Sequence, residues 1–124
     1  MDSNKALLTL ARKNMRINPA ELRPEMYCTG IVEEVAEVRA ELHTCNTVRL
    51  TDELGDILWD YYTLLALCER DGLIESAEAV FAHAQRKYHE RLPAMEIGSD
   101  KLWDEIKERQ KHTLMKRAQE KGES

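Results

Sequence analysis

The sequence is poor in the residues that mark secreted, cross-linked or membrane-spanning chains. Its 124 residues include three cysteines, three prolines, five glycines and a single phenylalanine. Cys28, Cys45 and Cys68 are odd in number and form no Cys-x-x-Cys pair. That excludes a disulfide framework and a zinc knuckle, and predicts reduced thiols in or near a core. The central apolar run, Leu64 to Cys68, falls far short of the ~20 residues that span a bilayer. Residues 1–16 mix Asp, Asn, Lys and Arg with leucines, without an apolar block and small-residue cleavage site. The expected location is therefore the cytoplasm, with no membrane partner. No segment alternates apolar and polar residues over strand length, and no internal repeat has a fixed period.

What is present is apolar content of 43% and charge of 33%. A chain this size buries about two-thirds of its surface, enough for one core without staples. We expect one domain over 1–124. Net charge is −5, unevenly spread. Between 21 and 60 there are ten acidic and three basic residues, whereas residues 1–20 carry four basic and one acidic. An acidic chain lacks the basic face that grips a nucleic acid polymer. It offers a local cation site or a solvated acidic surface instead.

Periodicity predicts helices near 3–16, 25–44, 51–71, 74–91 and 99–119. The predicted breaks are Pro19 and Pro24, Gly72, and Pro93 with Gly98. Thr51-x-Glu53 and Ser99-Asp100 are plausible N-terminal caps. The polar tail, 116–124, should fray. The expected fold is all-α, an antiparallel helical bundle with short connections.

On a helix at 100° per residue, Ile31, Val35, Val38 and Leu42 fall within about 60° of one another. Glu34, Glu37 and Glu41 fall within the next ~60°, so they edge the core rather than face open water. Glu33 points elsewhere. The next helix repeats the geometry. Leu54, Ile57, Leu58, Tyr61, Leu64, Leu65 and Cys68 form an apolar face, edged by Glu53, Asp56 and Asp60. If the two helices pack antiparallel, four to six carboxylates crowd one site. Like charges repel at that range and raise one another's pKa values unless a cation intervenes. Oxygen-only ligands select a hard ion, Mg²⁺ or Mn²⁺ in its place.

Glu34-Val35-Ala36-Glu37, fifteen residues, then Glu53-Leu54-Gly55-Asp56 has the form E-x-x-E…E-x-x-D. It resembles the metal-binding motif of the MazG-like, all-α nucleoside triphosphate pyrophosphohydrolases. Glu53 to Trp59 resembles that family's second metal helix over seven consecutive residues, and Glu33 to Val38 resembles the first. Lys87-Tyr88-His89-Glu90-Arg91-Leu92-Pro93 resembles its phosphate-handling K-x-x-x-R-x-P segment. Leu102 to Lys107 resembles its closing helix, with a Trp and a Lys. The resemblance covers about residues 27–110. Asp60 departs from it, standing where many relatives are aromatic or apolar. It is a candidate extra acid, an outer group or an interface charge.

The resemblance implies a bundle that forms a homodimer or a dimer of dimers (a homotetramer). It implies cleavage of a nucleoside triphosphate to monophosphate and pyrophosphate with Mg²⁺, in nucleotide-pool house-cleaning. Glu34, Glu37, Glu53 and Asp56 then become the metal ligands. Glu37, Glu34 or the neighbouring Glu33 would take the proton of the attacking water. Lys87 and Arg91, one helical turn apart, suit phosphate oxygens, or ordinary surface ion pairs with Glu90 or Asp104. Trp103 suits a base platform, a core or an interface; Lys107 lies one turn on; Trp59 suits an interface or a base pocket. Apolar residues on several sides of their helices, among them Tyr61, Leu73 and Phe81, predict a subunit contact. Dimeric dUTPases and phosphoribosyl-ATP pyrophosphohydrolase are alternatives with similar acidic helices. A non-catalytic helical interaction module is an alternative of another class.

Overall fold

A computed structural model describes residues 3–17 and 21–123. Among them every regular element is helical. These are α1 (Ser3–Ile17), α2 (Pro24–Glu41), α3 (Thr47–Arg70), α4 (Ala77–Ile97) and α5 (Asp100–Glu120). The contacts divide the chain into two compact units, Met1–Ala77 and Glu78–Ser124.

In the first unit α3 packs against both α1 and α2. α1 buries Leu8, Ala11 and Met15, one stripe at helical spacing. α3 buries Tyr62, Thr63, Leu65, Ala66 and Leu67, all in its C-terminal half. Arg12 clamps this core from α1. Its Nη2 and Nε donate to the two carboxylate oxygens of Glu69, at 2.7 and 3.0 Å. Glu69 Oε1 also accepts from the Ala77 amide at 3.1 Å, satisfying an orphan donor at the start of α4. α3 ends in a Schellman motif. The Leu73 amide bonds the Cys68 carbonyl at 2.9 Å, the Gly72 amide bonds Glu69, and Gly72 takes φ +71°, which costs an L side chain.

Several local expectations are corrected. α3 starts four residues before Thr51. Asn46 is its cap, Oδ1 accepting from the Arg49 amide at 3.0 Å, while Thr51 turns its hydroxyl back to the Thr47 carbonyl. Asn is the better cap, so the helix begins where Asn allows. Pro93 lies inside α4 and does not end it. Proline removes one ladder bond but its φ is helical. The helix therefore runs on past buried Ala94 to the positive-φ Gly98. Residues 116–120 continue α5. Pro19 lies outside the described residues, and Pro24 opens α2. Cys28 and Cys45 are exposed thiols rather than core residues, and Cys68 is half-buried.

The largest difference concerns α2, which buries no residue. Val35 and Leu42 of its apolar stripe are 43% and 56% exposed, and Leu54, Leu58 and Tyr61 of α3 are 49%, 42% and 40% exposed. One helix pair cannot cover two apolar faces, so the predicted core around the acids is only half built in this unit.

Within the second unit, α4 and α5 are tied by Gln110. Its Oε1 accepts from Arg91 Nε at 2.9 Å, and its Nε2 donates to the Lys87 carbonyl at 3.0 Å and to Glu90 at 2.9 Å. Ile106 and Ala94 are buried, and Ser99 caps α5 as expected.

Candidate active site

The acids of α2 and α3 meet along one seam. Glu41 faces Arg49 and Glu53, Glu37 faces Glu53, and Glu34 faces Asp56 and Asp60. Glu34 is the most perturbed. Burial, a proton shared with Glu37 and the charges of Glu37, Asp56 and Asp60 push its carboxyl up to about 7. When both groups are ionised neither donates, so Glu34 Oε2 is a buried oxygen with no partner. Glu53 Oε2 is another. Burial and the charges of Glu41 and Glu37 raise the Glu53 carboxyl against the opposing pull of Arg49.

Asp60 belongs to the same seam. Burial and then Asp56 raise its pKa. A Cβ at Gly30 would stand 3.1 Å from Asp60 Oδ2. The absence of a side chain at position 30 is therefore what lets this carboxylate lie against α2. The phenol of Tyr27, one turn away, is pushed up by burial and by Asp60. Gly30 falls inside the helix predicted near 25–44, where spacing alone gives it no role. A glycine inside a helical pattern is the signal that could have found it.

Glu41 is already satisfied. It pairs with Arg49 at 3.1 Å and accepts from the Thr44 hydroxyl at 2.8 Å. Glu33 is exposed, and among the described residues no hydrogen bond or ion pair reaches it. Trp59 is half-buried on α3.

Among the described residues, no three His, Cys, Asp or Glu side chains form a ready-made metal cage. Unscreened carboxylates do not converge to ligating distance by themselves. The donor chemistry nevertheless fits a hard dication: oxygen ligands only, two of them buried and unpartnered, with burial first and acidic neighbours second holding the Glu34 carboxyl near 7. Glu34, Glu37, Glu53 and Asp56 could hold it, with Asp60 behind them.

Lys87, Arg91, Trp103 and Lys107 belong to the second unit. Arg91 is only 6% exposed. Its guanidinium stacks over Trp103 at 4.7 Å and lies 5.3 Å from the Tyr88 ring centre. The indole face is therefore covered by Arg91, and one arginine donor is spent on Gln110. Lys87, Arg91 and Lys107 line a common cavity of about 590 Å³.

Compared with known proteins, residues 22–96 match the family model of the MazG nucleotide pyrophosphohydrolase domain. That span takes in α2, α3 and nearly all of α4 and stops short of Trp103 and Lys107. No curated protein and no solved structure matches the chain.

Proposed function

The chain belongs to the MazG nucleotide pyrophosphohydrolase family, and from that membership we propose that it cleaves a nucleoside triphosphate between the α and β phosphates. The products are the monophosphate and pyrophosphate, and the reaction uses Mg²⁺, with Mn²⁺ able to replace it. The observation that supports this most is the seam itself, where Glu34 and Glu53 each keep a buried oxygen without a partner.

A triphosphate carries about four negative charges, which bare carboxylates would repel. Glu34, Glu37, Glu53 and Asp56 would hold a dication, which would invert the local sign and acidify the attacking water. Whichever of Glu34, Glu37 and Glu33 is left off the metal would take the proton of the attacking water. Lys87 offers a mobile point charge to the phosphates, with Lys107 in the same cavity. Arg91, held by Trp103 and Gln110, gives that cavity a fixed positive wall.

We place the protein in the cytoplasm as a homodimer or a dimer of dimers, clearing surplus or damaged nucleotides. The uncovered apolar faces of α2 and α3 support the subunit contact. No helix among the described residues is long and apolar enough to cross a membrane.

The test is a panel of ribo- and deoxyribonucleoside triphosphates incubated with Mg²⁺, followed by separate measurement of pyrophosphate and orthophosphate. Pyrophosphate with stoichiometric monophosphate is expected, and chelation should abolish it. Orthophosphate alone, or no turnover on any nucleotide, would reject the assignment.

A further inference from the structure

The seam between α4 and α5 carries a second concentration of charge, of the opposite sign. A cavity of about 280 Å³ there is lined by Arg86, Lys87, Arg109 and Arg117, with Glu90 as the only acid. The lining is cationic by three charges on a chain of net −5. Among the described residues Arg86, Arg109 and Arg117 make no ion pair. Glu90 already accepts a bond from Gln110 at 2.9 Å, so it does little to neutralise them. Three unpaired guanidinium groups around one concavity repel each other, and an isolated fold gains nothing from assembling them.

We propose that this cavity is a binding site for an inorganic polyphosphate anion, of the pyrophosphate or tripolyphosphate class. Three features select that ligand. Guanidinium forks match phosphate oxygens in pairs, and several forks suit several phosphates. The volume lies at or below the ~300 Å³ at which pockets for drug-sized molecules begin, so it accepts a phosphate chain more readily than a whole nucleotide. The lining includes no Trp, Tyr or Phe, and its one ring is the small imidazole of His83, so a phosphate chain finds more partners there than a base does. A nucleic acid backbone is disfavoured by the acidic charge of the chain as a whole. Only Lys87 is shared with the phosphate role proposed above. The arginines have no part in that role, so the site stands whether or not the seam of α2 and α3 hydrolyses nucleotides.

The experiment is isothermal titration calorimetry of the whole protein in EDTA, with pyrophosphate and with tripolyphosphate as titrants. Saturable binding is expected without metal, tighter for tripolyphosphate and weaker as salt rises. Arg109→Gln and Arg117→Gln should each weaken it about tenfold, the loss of one charge-assisted contact. Both positions are exposed, so helical content measured by circular dichroism should not change. Arg86→Gln is a third variant with the same expectation. Asp56→Asn, in the other unit, should bind tripolyphosphate as the parent does. No saturable heat up to about 5 mM titrant overturns the proposal. So does unchanged affinity in all three arginine variants, or loss of binding in Asp56→Asn. Tighter binding of a single-stranded oligonucleotide than of tripolyphosphate overturns it too, and makes the surface one for nucleic acid.

Discussion

The two halves of α3 are built for different ends. From Thr47 to Tyr61 no residue is buried, and this half carries Glu53, Asp56 and Asp60. From Tyr62 to Arg70 the helix supplies much of the first unit's core and ends in satisfied bonds to Arg12, Ala77 and the Gly72 turn. The C-terminal half gains stability from burial. The N-terminal half spends it, because partly desolvated carboxylates repel each other with few cations nearby. A rigid anchor on one side of a strained acid seam is what a site for a doubly charged ion needs. A helix divided in this way should respond to substitution in two separable ways.

The largest effect should come from the acid half. Asp56→Ala or Glu37→Ala is expected to lower turnover of nucleoside triphosphate by about 10³-fold or more. Several kcal/mol of charge stabilisation are lost, and each ~1.4 kcal/mol is tenfold in rate. The thermal midpoint of the metal-free protein should hold or rise, since a repelling charge has gone. Near-parental turnover in either variant would remove that residue from the ligand set.

The anchor half should show the reverse. Leu67 is fully buried, so Leu67→Ala leaves a cavity and costs about 2–5 kcal/mol, visible as a lower urea midpoint. The rate per folded molecule should stay within a few-fold of the parent. A rate collapse at full folding would show that the two halves do not act separately.

Much of this division was legible in the residues. The 3.6-residue spacing located five helices, and the phase of Glu34 and Glu37 against Glu53 and Asp56 foretold their meeting. Asp60 was visible as an oddity, but not its place beside Gly30, because a close approach between helices leaves no mark on either periodicity. Nor could spacing show Arg91 stacked on Trp103. The two lie twelve positions apart on different helices, and a cation against a ring is settled by tertiary packing. Cap choice failed for a local reason. Asn46, five positions before Thr51, is the stronger capping residue and takes the helix start.

That cap sharpens the comparison at smaller amplitude. Asn46→Ala removes the bond to the Arg49 amide and should cost about 1 kcal/mol. It frays the end of α3 nearest Glu53, so turnover should fall with stability, by less than tenfold. Ser99→Ala removes the equivalent cap of α5, and should cost similar stability without lowering turnover by the same route. Equal kinetic losses in the two variants would contradict a special link between the Asn46 cap and the acid seam.

The smallest effect on stability, and the most diagnostic in sign, is that of pH on the metal-free protein. Glu34 titrates near 7 in the fold against an ordinary value of 4.5. Between those values the folded chain holds more protons than the unfolded one, so this group makes stability fall as pH rises from about 4.5 to about 7. Above 7 its contribution is flat. The group stands close enough to solvent for the slope to be shallow, so it is best read as a difference: Glu34→Gln should lose that part of the decline. A divalent cation taken by these oxygens would compete with protons for them, so added Mg²⁺ is expected to raise the melting temperature more at pH well above 7 than near 5. A melting temperature that rises with pH across this window in the parent relative to Glu34→Gln would mean that the seam stabilises the Glu34 charge. The need for a cation there would then be gone.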